Sequence, residues 1–305
     1  MRKIYLVSNN YSTKNKLIRW REISSLLEKK DESIILSKEN VEKLTSVIDS
    51  EDFLCINGGD GTIQKVLDYF LKQEKKLPII VPLNAGATNA LARDTNIFGS
   101  PYSILKKIVY LRNEQFLIQT RYLMKITDYN SQKICYGFFA GFGIMPYLFK
   151  NRHGDFLTGR KTHLKVSKTI FSALQKKDVS YINKNMTLNY EGRIMNEDFF
   201  VLLFLTTAKP LPFMKPLFDN EKNHFYMIGT SVDPRTAGKQ FMSLLLGQKL
   251  KKKDLFVKTL KEISISGKNL DFIVDGEQFL SNNESINNIK IELAQELIRI
   301  PSLKN

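Results

Sequence analysis

Cysteine is nearly absent. Cys55 and Cys135 are the two in 305 residues, which excludes a disulfide scaffold and makes a reducing compartment the simplest setting. Histidine is as sparse: His153, His163 and His224 are scattered, and no Cys/His cluster has the spacing of a structural zinc site. Long hydrophobic runs are missing too. The longest, 199–205, falls well short of the roughly 18 residues needed to span a bilayer. The mostly apolar stretch between Met1-Arg2-Lys3 and Ser8-Asn9-Asn10 is too short for a signal-peptide core. The chain reads as neither exported through an obvious signal nor membrane-spanning. Acidic residues are in deficit, with 31 Asp and Glu against 46 Lys and Arg, a formal charge of +15.

What is present is globular: 43% hydrophobic and 25% charged residues, values that argue against wholesale disorder. A chain of this length forms one large domain or two ordinary ones. An isoelectric point near 9.6 suits nucleic acid, an anionic membrane surface or phosphorylated ligands. A Lys- and Asn-rich composition inherited from an AT-rich genome gives the same value, so the charge alone selects nothing. Nucleic acid is not expected as a partner, because the basic residues are spread along the chain without a zinc finger, an aromatic RNA-binding signature or a basic arm.

The first hundred residues alternate strand and helix patterns. Segments 3–7, 33–36, 53–56 and 78–83 read as strands, and 16–27, 41–48 and 63–71 as helices, with a further helix starting at Asn89. Repeated strand–helix–strand units predict a parallel sheet covered by helices. After about residue 115 strand patterns dominate, at 121–127, 133–139, 186–190, 199–206, 225–229, 262–266 and 270–274, interrupted by helical stretches at 162–175 and 236–246. This part reads as a second, β-rich domain.

Three motifs carry chemistry. Gly58-Gly59-Asp60-Gly61-Thr62 follows a buried strand and precedes a helix. Its glycines allow a tight turn and close approach to a ligand, and the helix start offers free N–H groups to phosphate. Thr62 adds a hydroxyl donor. Asp60 is unusual beside an anion, and a Mg²⁺ shared with nucleotide phosphates would account for it. A plain Asp-Gly turn is the simpler alternative. The loop from Asn84 to Asn89, with Gly86 and Thr88, repeats the strand–turn–helix logic. Two such loops on parallel strands would lie side by side at the strands' carboxyl ends, where ligands bind in open α/β sheets. Neither is a P-loop, since no Gly-Lys-Ser/Thr follows. Asp275-Gly276-Glu277 places two carboxylates after an apolar strand; taken by itself it reads first as a hairpin turn.

Together, in order and spacing, Gly-Gly-Asp-Gly-Thr, the Pro82–Arg93 loop and Val274-Asp275-Gly276-Glu277 resemble the diacylglycerol kinase catalytic-domain family, which includes bacterial lipid kinases and sphingosine kinases. The late Asp-Gly-Glu separates this resemblance from NAD kinases and phosphofructokinases. It implies an NAD kinase-like three-layer α/β domain with a parallel sheet at 1–120, which holds ATP. It also implies a β-rich sandwich at 121–296 for a lipid acceptor, a last strand at 297–305 that returns to the first domain, and an active site in the cleft between the domains. Gly58, Gly59, Asp60, Gly61 and Thr62 correspond to the nucleotide-phosphate loop, and Gly86, Thr88 and Asn89 to the second nucleotide loop. Asp275 corresponds to the general base for the acceptor hydroxyl, with Glu277 as its acidic companion. Asp60 competes for the base role and is otherwise the organiser of Mg²⁺ or phosphate.

The chain also departs from the family pattern. Ser8-Asn9-Asn10-Tyr11-Ser12-Thr13-Lys14 lacks the family's Pro and Gly, Ala90 stands where many bacterial members have Asp, and a family Asp-Gly that helps build a structural Mg²⁺ site would fall near Lys222-Asn223. Lysine cannot ligate that metal, so the family's structural Mg²⁺ site is not expected. The resulting expectation is an ATP- and Mg-dependent lipid kinase with a diacylglycerol-like acceptor. It would be cytoplasmic and peripheral at the inner, anionic membrane face, reached through the basic, apolar segments 210–218 and 235–253. Its oligomeric state is left open, a homodimer included. The alternatives are an NAD kinase-like small-molecule kinase and a non-enzymatic nucleotide- or lipid-binding relative.

Overall fold

The computed structural model describes residues 2–9, 17–86, 89–146, 183–208, 223–231, 236, 256–268, 270–279 and 286–303. Thr88, the expected helices at 162–175 and 236–246 (Thr236 apart), the segments 210–218 and 235–253 and Lys222 lie outside them. The chain divides into two compact units, one formed by Met1–Tyr122 with Gln295–Asn305 and the other by Leu123–Ala294.

The first unit is a parallel sheet with helices. Strands β1 (Ile4–Ser8), β3 (Phe53–Asn57) and β4 (Ile79–Pro82) are buried at every position, as strands covered on both faces must be. Strand β2 (Glu32–Ile35) is largely exposed, which fits its place at the edge. The order is β2–β1–β3–β4, all parallel, and Arg299 of the last strand pairs with Ile79 beside β4. Between these strands run α1 (Leu17–Ser24), α2 (Lys38–Val47) and α3 (Asp60–Lys72). The buried side of α3 presents Ile63, Val66, Leu67 and Phe70 at the helical repeat. The helix that starts after Asn89 is short, α4 (Ala90–Asp94). It stops where Asn96 turns left-handed (φ 57°), a conformation Asn tolerates at helix ends. The chain restarts as α5 (Pro101–Leu111), capped by Ser100 with Pro at its start, the favoured arrangement there.

Near the start of β2 the sheet is fixed by a buried ion pair. Asp31, just before β2, receives Arg112 at 3.1 and 2.6 Å, and both side chains are almost fully enclosed (1% and 0% exposed). Asp31 also accepts the N–H of Ile4 at 3.0 Å and of Glu28 at 2.9 Å. The pair therefore joins the end of α5 to the start of β1. Cys55 and Cys135 are both free and buried, and burial pushes the Cys55 thiol upward from its ordinary range, which leaves it inert.

The second unit is antiparallel and β-rich. Strands β5 (Ile118–Asp128) and β6 (Lys133–Gly137) form a hairpin, followed by β7 (Phe139–Gly143), β8 (Asn183–Tyr190) and β9 (Arg193–Leu205). Then come β10 (Phe225–Ser231), β11 (Phe256–Leu260), β12 (Glu262–Lys268), β13 (Phe272–Val274), β14 (Glu277–Phe279) and β15 (Ile286–Pro301). The pairing order is β14–β13–β7–β9–β8–β12–β15, with β10 on the far side of β9. The core holds Phe142 stacked on Phe272 at 5.2 Å and edge-on to Phe204 at 5.8 Å. The stretch 133–139, expected as one strand, breaks at Phe138. Strand β15 passes from the second unit into the first, where Ser302 donates to the Leu117 carbonyl at 2.8 Å.

Removing one member of a buried ion pair strands the other charge. Asp31→Ala is expected to destabilise the fold by about 3–5 kcal/mol, measured by urea unfolding. A loss below about 1 kcal/mol would show that the pair does not hold β1, β2 and α5 together.

Candidate functional site

In the first unit β1 leads to β2 on one side and the chain then crosses to β3 on the other. Open parallel sheets bind ligands at such a reversal, outside the strands' carboxyl ends. Three segments leave the sheet there: the residues after Ser8, Gly58–Thr62 after β3, and 83–89 after β4.

Polar side chains tie these segments together. Asn57 Nδ2 donates to Ser8 Oγ at 2.8 Å, and Asn9 N–H donates to the Asn57 carbonyl at 3.1 Å. Asn9 Nδ2 donates to Thr62 Oγ1 at 2.9 Å. Thr62 is the acceptor in that bond, so its own hydroxyl proton remains a donor. The cap position before helix α3 is Gly59, which has extended backbone (φ −97°, ψ −173°) and no side chain to cap the helix. Uncapped first-turn N–H groups are suited to an anion.

The second loop folds on itself and against the first. Asn89 is left-handed (φ 49°), and its Oδ1 accepts the Gly86 N–H at 2.9 Å while its Nδ2 donates to the carbonyls of Gly86 at 3.0 Å and Asn84 at 3.3 Å. Its amide thus shapes the loop and does not cap α4. A Cβ on Gly86 would lie 2.2 Å from the Gly59 Cα, so glycine is required for the two loops to meet.

Asp60 supplies the missing cap from the other loop. Its Oδ2 accepts the Ala90 N–H at 3.0 Å and its Oδ1 the Leu91 N–H at 3.3 Å, and the residue is 7% exposed. The magnesium expected at Asp60 would be shared with nucleotide phosphates through a single carboxylate. The Asp60 carboxylate faces helix-start N–H groups, and no group of three or more His, Cys, Asp or Glu that could hold a metal gathers among the described residues. Asp60 is a clamp between the loops. Arg93, in the same helix, is half-buried. Burial pulls its guanidinium below the usual arginine range, and Asp60 and Asp94 oppose that shift. Asp94 in turn receives Arg121 Nε at 2.5 Å, so α4 is held at both ends.

The third motif lies in the second unit. Asp275 and Gly276 are the two left-handed residues (φ 45° and 92°) of a hairpin in which Val274 pairs with Glu277, the geometry that favours Asp-Gly. The hairpin turn is real, and the carboxylate does more than turn the chain. Asp275 Oδ2 accepts the Phe138 N–H at 2.9 Å and Oδ1 the Phe139 N–H at 3.1 Å, while its own N–H donates to the Phe139 carbonyl at 2.9 Å. The carboxylate takes the N–H groups at the point where β6 gives way to β7, which explains the break at Phe138. A Cβ on Gly137 would lie 2.8 Å from Asp275 Oδ2. Glu277, half-buried, opens β14.

The structure thus joins Gly58, Gly59, Asp60, Gly61, Thr62, Gly86 and Asn89 in one site of the first unit, and sets Asp275 and Glu277 on one hairpin of the second. Asn9, Asn57 and Arg93 were not singled out from sequence. The signal for the first two was their position at the ends of β1 and β3, on either side of the chain reversal.

Residues 3–118 match the family model described as the diacylglycerol kinase catalytic domain. Three solved structures from Bacillus anthracis str. Sterne, all described as diacylglycerol kinases and two of them provisionally, share the fold. Their TM-scores are 0.69, 0.66 and 0.67 at 15%, 13% and 16% identity, each covering 98% of this chain and 96% of the other. At that identity the likeness speaks for the fold alone. No curated protein sequence matches the chain.

Asp60→Ala removes the acceptor for two buried N–H groups and is expected to cost about 1–3 kcal/mol. Gly86→Ala forces a Cβ onto the Gly59 backbone and is expected to cost a similar amount, about 1–3 kcal/mol. Denaturant titration reads both, and wild-type stability in either variant would mean that the loops are not clamped as described.

Proposed function

From the match of residues 3–118 to the family model described as the diacylglycerol kinase catalytic domain, we propose that the protein is a lipid kinase. It transfers the γ-phosphoryl group of magnesium-bound ATP to a hydroxyl of a membrane lipid, diacylglycerol-like, at an anionic inner membrane face to which it binds peripherally. The observation that carries this reading is the pair of loops at the chain reversal, with Gly86 packed on Gly59 and Asp60 bridging them. Such a surface presents backbone N–H groups and the Thr62 hydroxyl at close range, which is what polyphosphate needs. Among the described residues no helix is long and apolar enough to cross a membrane, which accords with peripheral contact.

Each residue then has a task. Gly58, Gly59, Gly61 and Thr62 cradle the phosphates, and Gly86 and Asn89 form the second wall, with Thr88 assigned to the same loop from its sequence position. Asp60 keeps the two walls in register. Phosphoryl transfer depends mostly on positioning and on neutralising phosphate charge. Magnesium supplies part of that neutralisation when bound, with the phosphates and water as its main ligands. The acceptor hydroxyl has a pKa far above 7, so a carboxylate must take its proton during attack. Asp275 is the base in this reading and Glu277 its acidic companion. The Phe138 and Phe139 N–H bonds fix the direction of its carboxylate. The acceptor oxygen bonds to the γ-phosphorus as the bond to the bridging oxygen breaks, the proton passes to Asp275, and ADP leaves.

The test is transfer of ³²P from ATP into an extracted mixed-lipid pool, with wild type beside Asp275→Asn. Asn tolerates the left-handed turn and can still accept one of the two N–H groups, so this variant isolates chemistry better than Ala. The expected result is a labelled lipid from wild type and a turnover about 100-fold lower or worse in the variant, with KM for ATP unchanged. Label in NAD and none in lipid would replace this reading with a soluble-substrate kinase.

A further inference from the structure

Thr62 is buried (5% exposed), and its hydroxyl behaves unlike those of the other buried threonines on helices of the first unit. Thr45 Oγ1 donates to the Glu42 carbonyl at 2.7 Å, and Thr95 Oγ1, at the end of α4, to the Leu91 carbonyl at 2.8 Å. Each gives its proton to its own helix, the usual habit of a helical threonine. Among the described residues the Thr62 hydroxyl makes no such return bond. Its bond there is the one that it accepts from Asn9 Nδ2 at 2.9 Å.

Asn9 belongs to the turn after β1 that departs from the family pattern, and it is held from the core. Its N–H donates to the Asn57 carbonyl at 3.1 Å, and Asn57 Nδ2 donates to Ser8 Oγ at 2.8 Å. Ser8 and Asn57 are both fully enclosed (0% exposed). On the loop side, a Cβ on Gly58 would lie 2.5 Å from Thr62 Oγ1, so the hydroxyl sits against the bare backbone of the glycine loop. An amide N–H cannot accept a hydrogen bond. While it faces Thr62, the hydroxyl proton must point away from Asn9.

We propose that Asn9 is a positioning residue for the nucleotide: by donating to Thr62 it keeps that hydroxyl as a donor to a phosphate oxygen of ATP at the start of α3. This rests on the reading of Gly58–Thr62 as the phosphate cradle. A phosphate oxygen only accepts, so it gains from a hydroxyl that presents its proton and is repelled by one that presents a lone pair. Without Asn9 the hydroxyl can turn its proton to a carbonyl of the first helical turn, as Thr95 does, and its oxygen toward the phosphate. Asn9 thus acts on ATP through Thr62 and not by a contact of its own.

A double-mutant cycle tests this, because it separates action through Thr62 from independent action. Asn9→Leu (similar in size, without a hydrogen bond), Thr62→Val, the two together and Thr62→Ser are compared with wild type. Binding of magnesium-ATP is read by titration calorimetry, and ³²P transfer to dioctanoylglycerol gives KM and kcat. The expected result is ATP binding about tenfold weaker in Asn9→Leu and in Thr62→Val, the loss of one hydrogen bond to a charged group. KM for ATP rises in parallel and kcat at saturating ATP changes less. The double variant binds ATP within about twofold of Thr62→Val alone, and Thr62→Ser binds like wild type. If Asn9→Leu does not fold, Asn9→Ala takes its place in the cycle. Wild-type affinity in the Asn9 variant, or an equal loss whether or not Thr62 has its hydroxyl, overturns the proposal, and lipid phosphorylation by wild type then still supports the kinase reading. If the cycle is non-additive as expected but no phosphate is transferred, the kinase reading fails and the positioning role stands. A wild type that binds no ATP overturns both.

Discussion

The carboxylate of Asp60 is the constraint on which the site in the first unit depends. The segment from Asn84 to Asn89 uses its own Asn side chain to close on itself, which leaves the start of α4 without a local cap. Asp60 provides it from the adjacent strand's loop. Helix α4 therefore cannot settle unless α3 has begun at the right residue, and Gly86 lies so close to the cap of α3 that a Cβ on it would meet the Gly59 Cα. The two glycines set the distance between the loops and the aspartate sets their register. Together they keep backbone N–H groups aimed at one region before any ligand arrives, which is the preorganisation that phosphate binding and transfer require.

The same device recurs at Asp275. Again one carboxylate takes two consecutive backbone N–H groups from a different segment, and again a glycine, Gly137, clears the approach. In both places the acid holds together a local geometry that the backbone cannot satisfy alone. Buried N–H groups that lose an acceptor are costly, so loss of activity on truncating either aspartate mixes a folding effect with a chemical one. Turnover and stability have to be measured on the same variant for either role to be assigned.

Much of the fold was legible in the sequence, for physical reasons. Strands β1, β3 and β4 are buried on both faces, so they appear as unbroken apolar runs between turn residues, and α3 shows a clear helical repeat. The fold class, a parallel α/β unit followed by a β-rich one, follows from that contrast. The break at Phe138 was not legible, because it is caused by a side chain 137 positions away in sequence. Nor was the length of β15. Its buried positions fall on Ile289 and Ile291 and then shift phase to Ala294, Ile298 and Ile300, as the strand leaves one unit for the other, and a single period-2 pattern does not span that shift. In the site, the glycines and aspartates were visible as a motif, but the partners of the aspartates were not. The sequence shows Asp60 as an acid in a glycine loop; it does not show that its carboxylate meets the N–H groups of Ala90 and Leu91, 30 and 31 positions on.

This suggests how much weight a motif should bear. Asp60, Asn89, Gly86 and Gly137 all have structural reasons to be what they are, so their presence is compatible with a working enzyme and with a binding relative that keeps the same loops. More telling are groups with hydrogen-bonding capacity that their fold neighbours do not use. Thr62 accepts from Asn9 and retains its own proton to donate.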